Sequence, residues 1–330
     1  MREFRIKRRS VIAGLAVSLV APERSSAQQP QSKIPRVGIL TQASSDKAPI
    51  FDAFREGLRD LGYSESRNII LEFRFARGDS SRGPELAAEL VALPVDVIVV
   101  AVGVSANAVD PSGRIPIIGP AMMDPVTRGF AVSLARPGGN ITGFTLMHTE
   151  LNAKRLDLLR AAFPQITAVS ALVNPANPSQ KLAFEQTETA ARSLGLGRVA
   201  KVEAESAAAL RALRPAVFSG SDAVIVVPDG MFYNYRRDVA ALINAAQLPA
   251  IYPEREYVDD GGLMAYGANV ADNWRRAAGY VDKILKGAKP GDLPIQEPVR
   301  FDFVINLKTA RELGLTIPPL ILGRADEIIE

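Results

Sequence analysis

"VDVIVVAV" (residues 95–102) carries one charge, Asp96, and shows no alternation of apolar and polar side chains. A strand with one wet face would alternate. An unbroken β-branched run suits a strand whose sheet is covered on both faces, and such sheets are built from strand–helix–strand units. The flanking sequence supplies them. "PRVGILT" (35–41) reads as a buried strand. "APIFDAFREGLRDLG" (48–62) reads as a helix with Ile50, Phe54, Leu58 and Leu61 on one face and Gly62 as its stop. "NIILEFRF" (68–75) is a strand and "GPELAAELVAL" (83–93) a helix, and "IPIIGP" continues the alternation. The handedness of such crossovers makes the sheet parallel and doubly wound.

The rhythm pauses at "LARPGGNITGFTL" (134–146), which has proline, three glycines and no helical period. It restarts with "TELNAKRLDLLRAAFP" as helix, "TAVSALV" as strand, and three further helix–strand pairs ending at "PAIY". The chain therefore predicts two α/β units in tandem. The C-terminal third holds "GGLMAYG" (261–267), an amphipathic helix in "ADNWRRAAGYVDKILKG" (271–287), and "VRFDFVINLKTARELGL" as strand then helix. These elements are too few for a third domain. They are expected to complete the first two, which requires the chain to cross between lobes more than once.

Composition narrows the chemistry. The 330 residues include no cysteine and one histidine, His148, which excludes disulfides, thiolate metal sites, cysteine nucleophiles and histidine clusters. No metal site and no cofactor is expected. There is no G-x-S-x-G, no G-x-x-x-x-G-K-[ST], and no G-x-G-x-x-G after a strand. The first 27 residues read as an export signal: basic "MREFRIKRRS", apolar "VIAGLAVSLVA" (11–21), and "SSA" (25–27) before "QQP". Arg8-Arg9 fits either a twin-arginine or a Sec signal. That segment holds six of the 39 basic and two of the 36 acidic residues, leaving 33 against 34 and a net −1. Nothing global then points to nucleic acid or an anionic membrane. No later stretch is long and apolar enough to cross a bilayer, so a soluble periplasmic protein is expected.

In open α/β sheets ligands bind beyond the carboxyl ends of the strands. Candidate contacts are therefore sought there. They are Thr41 and Gln42 in "TQASSD", Gly103 and Ser105 in "VGVSAN", Asp124 in "GPAMMDP", and Asn174 in "LVNPANPSQK" (172–181). Asp229 and Phe232 in "PDGMFYNY", Tyr252, and Glu256 in "EREYVDD" complete the set. In the Asn-Pro corner, Asn177 can cap the next helix, Pro178 fits its first position, and the N–H groups of Ser179 and Gln180 are left for an anion. The corner serves equally well as an ordinary strand-to-helix turn. Phe232, Tyr235 and Tyr257 fit a ligand pocket or a helix-face core. His148 fits a surface or linker residue, or a ligand contact, and Asp259-Asp260 reads as solvated.

"PRVGIL", "FREGLRDLGY", "LARPGGNITGFT", "AKRLDLL", "LVNPANP", "PAIY", "GGLMAYG" and "INLKTARELGLTIPP" together resemble the substrate-binding proteins of ABC transporters, in their tryptophan/tyrosine-type branch. The resemblance spans residues 34–330 and implies the type I periplasmic-binding-protein fold: two Rossmann-like lobes with parallel sheets, joined by a multi-crossover hinge. It implies lobe I as 34–144 plus 268–292, lobe II as 145–267 plus 293–330, and a ligand cleft between them. The implied function is capture of a small organic ligand, an amino acid or an aromatic or carboxylate compound, by lobe closure. The implied partners are an ABC permease and its ATPase, with the binding protein a monomer. The third-strand loop, "AVGVSAN", departs from the Gly-Thr or Gly-Ser followed by Pro or Ala of many relatives, and leaves the ligand open. Two other readings stand beside transport. One is a ligand sensor docking on a membrane receptor; the other is a hydrolase using Glu254/Glu256 or Asp229. Intact-mass analysis of the exported chain is expected to place its N-terminus at Gln28.

Overall fold

The computed structural model describes residues 33–43, 45–77, 79–100, 109–110, 113–147, 151–177 and 179–330. The expected signal (1–27), Gly103, Ser105, His148 and Pro178 lie outside the described residues. The chain starts as β1 (Arg36–Thr41), α1 (Pro49–Asp60), β2 (Ile70–Phe75), α2 (Gly83–Ala92), β3 (Val97–Val100), β4 (Ile117–Met122) and β5 (Ile141–Thr145). These strands form one sheet in the order β2-β1-β3-β4-β5, with every pairing parallel. The apolar run at 97–100 explains itself here. Val97 and Val99 face a core with Val37, Ile39, Phe51 and Phe54. Ile98 and Val100 face another with Leu40, Leu86 and Leu90.

The second sheet follows. Its elements are α3 (Asn152–Ala162), β6 (Ala168–Val173), α4 (Gln180–Ser193), β7 (Arg198–Glu203), α5 (Ala207–Ala212) and β8 (Ala223–Val226). After them come α6 (Gly230–Asn234), α7 (Arg236–Ala245), β9 (Ala250–Tyr252), α8 (Arg255–Asp259) and β10 (Met264–Ala268). The chain then leaves as α9 (Val270–Leu285) and returns as β11 (Phe301–Asn306), α10 (Leu307–Glu312), α11 (Pro319–Leu322) and β12 (Glu327–Ile329). The strand order is β12-β11-β10-β9-β8-β6-β7. Only β10 and β11 pair antiparallel, because β11 re-enters from the other side. Cores cover both faces of this sheet too. The architecture is the expected pair of largely parallel α/β sheets, and Ile34–Glu330 forms one compact unit.

The chain passes between the sheets three times: after β5, after β10 and before β11. The last passage comes late. Thr142 donates to the Leu293 carbonyl (2.7 Å), and the Gln296 N–H donates to Gly143 (2.9 Å). The chain thus stays with the first sheet through Gln296.

Local sequence misleads at three other points. Leu61 falls past the last turn of α1 and is exposed rather than part of its buried stripe. The helix expected across "MFYNYRRDVAALINAAQ" breaks at Tyr235 into α6 and α7. β12, which the sequence reading does not foresee, adds an edge strand beside β11.

α9 carries the expected stripe. Trp274, Ala277, Ala278, Val281 and Ile284 are buried against Phe51, Phe54 and Leu58 of α1. The indole meets both phenyl rings edge-on, at 5.2 and 5.8 Å. The helices approach so closely at Gly57 that a Cβ there would stand 2.3 Å from the Arg275 carbonyl and 2.9 Å from the Ala278 Cβ. Neither neighbour can yield, since one is backbone. Gly57→Val is therefore expected to cost about 3 kcal/mol by overpacking, measured as a lowered urea midpoint with an unchanged slope.

Candidate functional site

A cavity of about 640 Å³ opens where the carboxyl end of the first sheet meets the second lobe's helices and the β10–α9 passage. Its first-sheet wall is Thr41, Gln42 and Ala43 after β1, with Ile50 of α1 and Arg77 after β2. The opposite wall is Tyr233 of α6, Arg236 of α7, and Arg255, Glu256 and Asp259 of α8. Gly267–Ala271 and Trp274 close the third side. A volume of this size, with apolar surfaces and a few placed charges, is what a small solute needs.

The charges are arranged unequally. Arg236 pairs with Asp260 at 2.8 Å and lies over the Tyr233 ring. Arg255 pairs with Glu327 of β12 at 2.9 Å and with Asp259. Those two cations are neutralised by the protein. Asp260 is accordingly not the solvated residue expected, since it also accepts from Arg237 (2.8 Å) and its side chain is largely buried. Arg77, held at φ 53° just after β2, has no partner for its guanidinium among the described residues. Glu256 is the acidic counterpart. Its Oε2 is buried and has no hydrogen-bond partner among the described residues, and burial raises its carboxyl above the ordinary value while Arg236 opposes the rise. A desolvated carboxylate oxygen without a donor is costly, and a cationic group entering the cavity would relieve it.

Thr41, Gln42 and Glu256 are thus the expected contacts that the structure brings to one cavity. The others stand elsewhere. Asp229 is 3% exposed, and its oxygens are occupied. Oδ1 accepts from Asn174 Nδ2 (3.1 Å) and from the N–H groups of Met231 (2.8 Å) and Phe232 (3.4 Å), while Oδ2 accepts from Asn177 Nδ2 (2.7 Å). Asp229 caps α6 and ties the Asn-Pro corner to the end of β8; Asn174 shares that brace. The N–H groups thought free for an anion are consumed within the corner: Ser179 donates to Asn177 Oδ1 (3.1 Å) and Gln180 to the Asn177 carbonyl (3.0 Å). Phe232 and Tyr252 are fully buried in the second sheet's core, Tyr252 stacked on Tyr257 at 5.0 Å. Asp124, at φ 42°, turns the chain after β4, its carbonyl accepting from the Arg128 N–H.

Sequence reasoning names Glu254 only as a hydrolytic candidate and passes over Arg155 altogether. Arg155 of α3 is fully buried, and Glu254 is 7% exposed. Burial pulls the guanidinium down to about 10, with the Glu254 charge opposing. Burial, and then the Glu256 charge, push the Glu254 carboxyl from 4.5 up to about 8, with Arg155 and Arg236 opposing. A carboxyl whose folded value lies above its unfolded one stabilises the fold when protonated. Its contribution is complete below about pH 4.5 and is lost as pH rises through about 8. Glu254→Gln is expected to flatten the fall in melting temperature between pH 5 and 8.5, read by thermal denaturation of both proteins across that range.

The chain matches the ABC transporter substrate-binding protein family over residues 37–329. It is 26% identical over 279 residues to a tyrosine-binding protein of Clostridioides difficile (strain R20291), covering 84% of this chain and 79% of that protein. It resembles the crystal structure of an ABC domain in complex with L-Trp from Streptococcus pneumonia, with TM-score 0.79, 26% identity, and coverage of 89% of this chain and 99% of that one. A conserved domain protein from Vibrio cholerae O1 biovar eltor str. N16961 is equally similar, with TM-score 0.78, 26% identity, and coverage of 90% and 100%. No helix among the described residues is long and apolar enough to cross a membrane. With its two-sheet architecture and cavity, the chain belongs to the ABC transporter substrate-binding protein family, has the type I periplasmic-binding-protein fold, and is a binder of small solutes.

Proposed function

We propose that this protein is the exported solute-binding component of an ABC importer and that its ligand is an aromatic α-amino acid. The observation that carries this reading is the buried Glu256 oxygen, which has no hydrogen-bond partner among the described residues, in a cavity that also holds Arg77, unpaired among those residues. An ammonium on Glu256 and a carboxylate toward Arg77 would satisfy both, with Tyr233, Ile50 and Trp274 beside the side chain. The names of the relatives, one binding tyrosine and one holding L-Trp, support the same class.

The lobes are residues 34–144 with 268–296, and 145–267 with 297–330. A ligand that touches both walls only when they are shut shifts the open–closed equilibrium by that differential affinity. The shut form is the one offered to a permease with its ATPase. The mature chain works in the periplasm as a monomer.

The test is thermal unfolding and calorimetry of residues 28–330 with L-tyrosine, L-tryptophan, L-phenylalanine, their desamino analogues and polyols. A ligand at a hundred times its Kd adds about 2.7 kcal/mol to the folded state. The aromatic amino acids are expected to raise the melting temperature, and the desamino analogues to bind about tenfold to hundredfold more weakly. Glu256→Gln is expected to bring the amino acids down to the level of those analogues. Equal binding of both series, or an effect from polyols alone, sinks the amino-acid reading.

A further inference from the structure

We infer that Arg155 is a positioning residue for the solute site: its guanidinium clamps the loop that leads into α8, the helix carrying Glu256, to the strand that opens the β10–α9 passage. The inference rests on the cavity being the ligand site, and its geometry is independent of which solute binds. Nε donates to the Tyr266 carbonyl of β10 at 2.8 Å. Nη2 donates to the Pro253 carbonyl at 3.4 Å, in the loop that leads through Glu254 to Glu256. Nη1 is held by Asn152 Oδ1 at 2.7 Å, and Asn152 is itself fixed by Thr187 of α4 at 3.0 Å.

The two clamped segments touch directly. A Cβ on Gly267 would stand 1.9 Å from the Pro253 carbonyl and 3.8 Å from the Glu254 Cα. Gly267 and Glu256 both line the cavity, on walls that meet at this contact. A cation carried on α3, behind the cavity, thus fixes the spacing between the acidic wall and the passage about which the lobes move.

A core that needed only filling would be at least as stable with an apolar side chain, since desolvating a guanidinium is expensive. What an apolar side chain lacks is the planar fork that reaches separate acceptors at set angles. Lysine keeps the charge but gathers its donors at one point, so it cannot span the Tyr266 and Pro253 carbonyls together. Glu254 stands beside the clamp and does not itself line the cavity.

The experiment compares the mature chain with Arg155→Lys, Asn152→Ala and Ile225→Val. The last trims the core of the same sheet and touches none of the clamp. L-tyrosine and L-tryptophan are the probes, and hydrogen exchange is also followed without ligand. Arg155→Lys is expected to weaken probe binding about tenfold or more and to speed exchange at 253–270 while β1–β5 stay protected. Asn152→Ala is expected to do the same at smaller amplitude, and it decides the matter if Arg155→Lys does not fold. Ile225→Val is expected to melt lower with unchanged affinity. Unchanged exchange at 253–270 in the clamp variants, or an equal loss of affinity in Ile225→Val, overturns the inference. If the parent binds neither probe, the amino-acid reading falls, and the ligand-free exchange still decides the clamp.

Discussion

The packing of α9 on α1 is the constraint from which the rest of the molecule follows. The first sheet needs a cover for the face carrying Val37, Ile39 and Val99, and α1 alone does not supply it. The missing half comes from a helix that follows ten of the strands, and Tyr63 and Asp282, 219 residues apart, meet at 3.0 Å as a result. For α9 to arrive there, the chain must leave the second sheet after β10 and later return to it. The antiparallel entry of β11, the passage at Gly267–Val270 and the walls of the cavity are consequences of that one debt of apolar surface.

Much of this is legible in the sequence because it is written in short-range pattern. The strand at 97–100 announces two covered faces by its lack of alternation, and the stripe from Trp274 to Ile284 announces a helix with a partner. What pattern could not convey is pairing across long separations. The Asn-Pro corner reads as an anion site or an ordinary turn until Asn177 takes up its own N–H groups and Asp229, from the end of β8, braces it. Asp260 looks solvated until Arg236 and Arg237 approach it. Leu61 reads as the last residue of an apolar face because nothing local says that the helix stops one residue earlier. β12 is three residues long and pairs only with β11, so it lacks the length on which a strand reading depends.

The site followed the same division. The rule that ligands gather at strand carboxyl ends led to Thr41, Gln42 and Glu256, which line the cavity. It also drew in Asp229, Asn174, Phe232 and Tyr252, which sit at such ends but face inward. Arg155 offered no signal at all, since in "AKRLDLL" it reads as one more charge on a helix surface. Two of its partners are backbone carbonyls about a hundred residues away, and carbonyls leave no trace in composition.

The pairing of Arg255 with Glu327 gives the chain's last strand a part in the charge of the cavity wall. Arg255 stands in the cavity wall, and besides Asp259 its charge is met by a residue of β12 that lies 72 positions further along and does not itself line the cavity. Relatives that keep every lining residue but differ at this distant carboxylate would present a more positive cavity, and so favour more acidic solutes. A ligand preference transferred between family members by comparing pocket residues alone would miss the change.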